Sequence, residues 1–140
     1  MAIYLDNNVG LKIATVDLSE YITSITLTQT FDEVETTVMG ATAHQFSKGL
    51  ESSTLAVDFL NDWAAAKVCA TLQAAYGTSV TAVLIPVKGT AVSATNPLYT
   101  VSILINNLTP VGSGGPGDYA TSSLTFTCTS TVAYATTGTF

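Results

Sequence analysis

The sequence predicts a mainly β domain with one flanking helix, and three observations carry that prediction. Period-two alternation rich in β-branched residues recurs along the chain, most clearly at 22–30 (ITSITLTQT), 54–60 (TLAVDFL) and 119–131. A single stretch, about 61–76 (NDWAAAKVCATLQAAY), has the alanine content and the i, i+3, i+4 apolar spacing of a helix. Elsewhere Gly, Pro and Asn punctuate the strand-like runs, most densely at 109–118 (TPVGSGGPGD).

Taken in order, 9–16 alternates weakly and reads as an edge strand or an arm, with residues 1–8 as an N-terminal arm. Residues 17–21 are a short polar interruption. In 22–30, Ile25 and Leu27 share one face while Ser24, Thr26 and Thr28 take the other. The strand tract continues through 31–38 (FDEVETTV), which holds the densest acidic cluster. Residues 40–53 have no sustained period, so 41–53 reads as a long loop. Its apolar Phe46 and Leu50 favour a contact loop over a free linker.

Strand 54–60 points Leu55, Val57 and Phe59 one way and leads into the helix. Asn61 is the expected N-cap, and Asp62 suits the positive end of the helix dipole. Val68, Cys69, Leu72 and Tyr76 form the stripe expected to pack on the sheet, with Gly77 ending the helix in a left-handed conformation. Strands follow at 79–88, where Pro86 marks an edge, a bulge or a terminus, and at 98–106. The closing strand, 119–131, turns Leu124, Phe126 and Cys128 inward. Residues 135–140 read as a flexible tail.

One hundred and forty residues make one domain with a real core. Charged residues are only 10% of the chain against 47% hydrophobic, so the surface is easily desolvated and the first inference is an oligomer. The net charge of −6, the four lysines and the absence of arginine argue against tight nucleic-acid binding. No signal peptide is visible and no apolar run is long enough to span a membrane. The two cysteines, Cys69 and Cys128, read as buried, reduced thiols of a protein folded in the cytosol.

Catalytic chemistry finds no constellation. His44 is the sole histidine, and its neighbours Thr42 and Gln45 are poor partners for a nucleophile or a metal. Asp32, Glu33 and Glu35 follow a strand instead of alternating around a turn glycine, which favours a solvated acidic strand end over a calcium loop. The glycines of GSGGPG lack the Lys-Ser/Thr and helix of a phosphate loop. No cofactor, metal or catalytic residue is implied.

Three stretches, taken together and in order, resemble the major tail (tail tube) proteins of long, non-contractile-tailed bacteriophages, particularly those of actinobacterial hosts. They are DLSEYITSITLTQTFDEVETTVMGATAHQFSKGLESSTLAVDF, NDWAAAKVCATLQAAYGTSV and TNPLYTVSILINNLTPVGSGGPGDYATSSLTF. The resemblance implies a β-sandwich or barrel-like tail tube fold with one flanking helix. It also implies a structural virion protein, assembled in the host cytoplasm, whose hexameric rings stack into a hollow tube for DNA delivery. Its partners would be further copies of itself, a tape measure protein, and tail terminator and tail-tip proteins. DNA would pass without tight binding, and no membrane would be involved. On this reading Asp32, Glu33 and Glu35 line the lumen, and the 41–53 loop with His44, Phe46, Lys48 and Leu50 reaches the adjacent ring. The competing readings are another phage β-sandwich assembly protein (capsid decoration or a terminal tail component) and a carbohydrate-binding module. For the last, the candidate aromatics Trp63, Tyr99 and Tyr119 are scattered.

Overall fold

A computed structural model describes residues 8–112 and 115–140; the expected arm at 1–8, apart from Asn8, and part of the Gly/Pro loop lie outside the described residues. In chain order the strands are β1 (Gly10–Ile13), β2 (Val16–Asp17), β3 (Ile22–Thr28), β4 (Phe31–Glu35), β5 (Phe46–Glu51) and β6 (Thr54–Leu60). Helix α1 (Val68–Ala75) follows, then β7 (Ser79–Ile85), β8 (Leu98–Leu104), β9 (Thr121–Cys128) and β10 (Ala133–Ala135). The fold is thus mainly antiparallel β with one helix, as the sequence predicts.

β6 carries the cleanest pattern: Leu55, Val57 and Phe59 are buried, and the residues between them are only partly covered. It pairs antiparallel with β3 on one side and β9 on the other. β7 lies between β1 and β8, with β2 added to β1. The two groups join at a corner, where β8 meets β9 only through Ile103↔Cys128 and Leu104↔Thr127. Beyond a bend at 129–132 the chain returns as β10, pairing with the start of β8. At the bend, Thr129 N donates to Ser102 O (2.8 Å) and Ser102 N to Ser130 Oγ (2.9 Å), so the ladder bends without orphaned groups.

The inner faces of both groups and the helix share one core. Leu11, Ile13, Ala82, Leu84, Val101 and Ile103 come from one side; Leu55, Val57, Phe59, Leu124 and Phe126 come from the other. Val68, Leu72 and Ala75 of α1 join the same cluster. Each large side chain buried here contributes about 1.5–3 kcal/mol against roughly 1–2 kcal/mol of backbone ordering per residue, so no element is stable alone.

Four expectations are corrected. The helix begins at Val68, not at Asn61. Asp62 Oδ1 accepts the Ala64 amide (2.8 Å) in a local turn, and Ala66 takes a left-handed φ of 59°, which blocks backward propagation of the helix. Asn61 is used elsewhere: its N–H donates to Ala120 O (2.9 Å) and its side chain meets Ser122 Oγ (2.7 Å), tying the end of β6 to β9. Tyr76 follows the last helical turn and is 53% exposed, while Ala75 takes the buried place. Gly77 does adopt the expected positive φ, 81°, and donates to Ile105 O (2.9 Å).

The tail expected at 135–140 is folded back instead. Ala135 closes β10, and the Phe140 ring lies against Gly10, where any Cβ would fall 2.8 Å from Phe140 Cζ. Lys12 Nζ lies 4.5 Å above that ring. The loop expected at 41–53 contains strand β5, described below.

The connection between β7 and β8 is organised by one buried side chain. Asn96 Oδ1 accepts the Val87 amide (3.0 Å), and its Nδ2 donates to Val87 O (3.1 Å) and Thr90 O (3.2 Å). At the β2 end, burial would push the Asp17 carboxyl up, but Lys88 at 2.8 Å and hydrogen bonds from Ser19 outweigh it and hold it below its ordinary value.

Candidate functional site

β4 and β5 form their own two-stranded sheet, apart from the main one. Every residue from Thr28 through Lys48 is exposed, so this hairpin is an arm standing clear of the domain. From Phe31 to its tip the arm reaches roughly 25 Å at about 3.3 Å per residue.

The arm is ordered by its own hydrogen bonds. Phe31↔Glu51, Glu33↔Lys48, Val34↔Ser47 and Glu35↔Phe46 set the register, with a bulge between Phe31 and Glu33. Towards the tip, Thr36 N donates to Gln45 O (2.7 Å) and Gln45 N to Thr37 Oγ1 (2.8 Å). The apex is a turn closed by Ala41 N donating to Val38 O (3.2 Å). Gly40 there has a φ of 87°, the positive value that the third residue of a type II turn requires. Met39 occupies the second position and points into solvent.

The base is clamped to the domain. Ser52 N donates to Thr30 O (2.6 Å), and Cys128 N donates to Ser53 O (3.0 Å). Glu51 Oε1 accepts from Ser53 Oγ (2.8 Å) and from the Val132 amide (3.2 Å). These hydrogen bonds, Ser53 first, hold the Glu51 carboxyl below its ordinary value.

Among the described residues, six of the eleven exposed large hydrophobic side chains belong to this arm: Phe31, Val34, Val38, Met39, Phe46 and Leu50. Scattered exposed apolar residues are normal, but this concentration is not. Strand alternation puts Phe31 and Phe46 on one face of the ribbon and Val34 on the other. Contact with one flat surface would therefore leave either Val34 or the two phenylalanines wet.

The two sets of residues singled out in the sequence fall on this one element. Asp32, Glu33 and Glu35 belong to β4; Phe46, Lys48 and Leu50 belong to β5, with His44 just before it. The three carboxylates do not share a face, because Asp32 alternates with the other two. Glu35 is bonded to His44, Oε1 to Nδ1 at 2.7 Å, and Glu33 lies across the ladder from Lys48. Lys48 Nζ also stands 5.6 Å over the Phe31 ring. Of the expected helix-packing residues, Val68, Cys69 and Leu72 are buried as predicted.

A second surface escaped the sequence reading. The outward face of β3, β6 and β9 is a run of small hydroxyls: Ser24, Thr26 and Thr28 beside Thr54, Ala56 and Asp58, beside Ser123, Thr125 and Thr127. Its one charge is Asp58, which accepts a hydrogen bond from Ser123 Oγ (2.6 Å), and it carries no lysine. The alternation that revealed its buried side also predicted this side, but without pairing partners the three rows could not be assembled. Among the described residues β3 is an open edge, pairing only with β6.

Neither cysteine is set up for nucleophilic chemistry. Cys69 is buried, and burial followed by the nearby Glu51 charge pushes the Cys128 thiol up, away from the reactive thiolate. Among the described residues no three His, Cys, Asp or Glu side chains group as a metal site, and no helix is long and apolar enough to cross a membrane. Of the scattered aromatics, Trp63 and Tyr119 are exposed, whereas Tyr99 packs against Tyr134 with ring centroids 5.5 Å apart. Comparison with protein-family models and with curated proteins returns no match.

Proposed function

We propose that this protein is a self-assembling structural subunit whose copies form rings that stack into a hollow tube, as in the phage tail tube proteins its sequence resembles. The observation that carries the proposal is the arm: an ordered hairpin with six large apolar side chains held in water. An isolated domain gains nothing from such an element, whereas neighbouring copies would desolvate it. The open β3 edge supports the same reading, because strand pairing between copies removes the hazard of an unpaired edge.

Within this reading the lumen role moves. Glu33 and Glu35 face a lysine and a histidine on the arm, a pattern suited to a contact and not to a wall that repels phosphate. The β3–β6–β9 face, hydroxyl-rich with one carboxylate and no cation, is the better wall for passing DNA without binding it. Hexameric symmetry and partnership with tape measure, terminator and tip proteins belong to the proposal through the resemblance. Light scattering and negative-stain imaging of the purified, concentrated protein test it: rings or hollow tubes are expected, and a monomer at every concentration rejects it.

A further inference from the structure

Strand β10 and the residues after it, 133–140, form a strap across the β8–β7–β1 side of the domain. Its first part completes a ladder that β9 leaves unfinished. β9 meets β8 only at Ile103 and Leu104, so along Leu98–Thr100 the second side of β8 is covered by β10 alone. Its far end reaches β1, where the Phe140 ring rests against Gly10 with Lys12 Nζ above it.

The strap is lightly held. Val132, just before it, is buried, but from Ala133 to Thr139 every residue except Ala135 is exposed, and Phe140 alone anchors the end. Tyr134 packs beside Tyr99 yet stays exposed. A space of about 220 Å³ between Lys12, Thr81, Val83 and Thr139 adjoins the Phe140 ring, so that end is underpacked. Ordering eight residues for one half-buried ring and a three-residue ladder puts the strap at the low-stability end of the fold. The bend that launches it is fixed more firmly. Thr129 N donates to Ser102 O, Ser130 Oγ accepts from Ser102 N, and Val132 N donates to Glu51 Oε1 (3.2 Å). Glu51 belongs to β5 and pairs across the ladder with Phe31, so one carboxylate joins the arm's base to the strap's root.

We propose that residues 133–140 are a hinged strap, opening from β8 as one unit between buried Val132 and exposed Ala133, and that Glu51 couples its closure to the arm. Closed, the strap covers the Leu98–Thr100 edge; open, it bares that edge for strand pairing. The Glu51–Val132 bond belongs to the closed position. A shift at the arm's base that withdraws Glu51 therefore favours opening, and opening loosens the arm's base in return. The device works within one chain and needs no second copy.

Amide hydrogen exchange, read residue by residue by NMR on the full chain, tests both halves. In the wild type, the amides of 133–135 and those of 98–100 that face them should exchange together, at least tenfold faster than β6. Phe140→Ala should speed both sets a further tenfold or so. It should also speed the Ser52 amide, which is bonded to Thr30 at the arm's base, and leave β6 unchanged. Glu51→Gln should speed 133–135 in the same way. A wild-type strap that exchanges as slowly as β6, or a Phe140→Ala effect confined to 139–140, overturns the hinged unit. A strap unmoved by Glu51→Gln, or a Ser52 amide unmoved by Phe140→Ala, overturns the coupling. If Phe140→Ala loosens β6 as well, the milder Phe140→Leu takes its place with the same two outcomes.

Discussion

A methionine at the apex of a β-turn gains nothing from water, and on the self-assembly proposal the fully exposed Met39 is a contact residue of the arm. Other residues act on the fold itself. Asn96 satisfies three backbone groups from inside the β7–β8 loop, so Asn96→Leu strands them and should cost roughly 2–3 kcal/mol, read as a lower urea midpoint. Glu51 links the arm's base to Val132, and its lowered pKa fixes the sign of a pH effect. The folded form favours the ionised carboxylate, so the contribution is complete above its ordinary value of 4.5 and is lost as pH falls through the lower folded value. Protection of the Val132 amide from hydrogen exchange should therefore drop in acid, and Glu51→Gln should show the reduced protection already at neutral pH. Residue chemistry of this kind was invisible in the sequence. Asn96 read as an ordinary turn residue before Pro97, and nothing near Glu51 in the chain announced Val132, which is brought to it only by the bend after β9.

At the level of elements, legibility followed burial. β6 was readable residue by residue because one face is wholly buried and the other is not. β5 was not, because both faces of the arm are in water and the bulge near Gly49 interrupts what alternation remains. The helix was seen, but its start was misplaced: the alanines of 64–66 favour helix intrinsically, and the turn at Asp62 with left-handed Ala66 overrides them. The β1–β2 hairpin shows a similar conflict, since its two-residue turn puts Ala14 and Thr15 at φ of 52° and 68°. Such turns prefer Asn-Gly, so Ala14→Asn with Thr15→Gly should stabilise the domain by about 1 kcal/mol in urea denaturation. The arm itself should be separable from the fold. Because Phe31 and Glu51 are paired, 32–50 can be replaced by Asn-Gly. The shortened chain should melt within a few degrees of the wild type, by circular dichroism, yet stay monomeric where the wild type assembles.

For the whole molecule, the low charge of the sequence pointed to assembly, and the structure supplies surfaces on which assembly can act: an arm, an open sheet edge and a hydroxyl-rich face. On the proposed tube, the edge would serve ring closure and the face would line the channel. Repulsion between copies of net charge −6 should weaken assembly at low ionic strength, with moderate salt lowering the threshold concentration, as light scattering against salt would show. Cryo-electron microscopy of the concentrated protein is the most direct test of the central claim. The account predicts closed rings or hollow tubes in which residues 31–51 of each copy are buried against a neighbour and the β3–β6–β9 face looks onto the channel. Single domains with the arm free in solvent, or an assembly that leaves the arm uncovered, would contradict it.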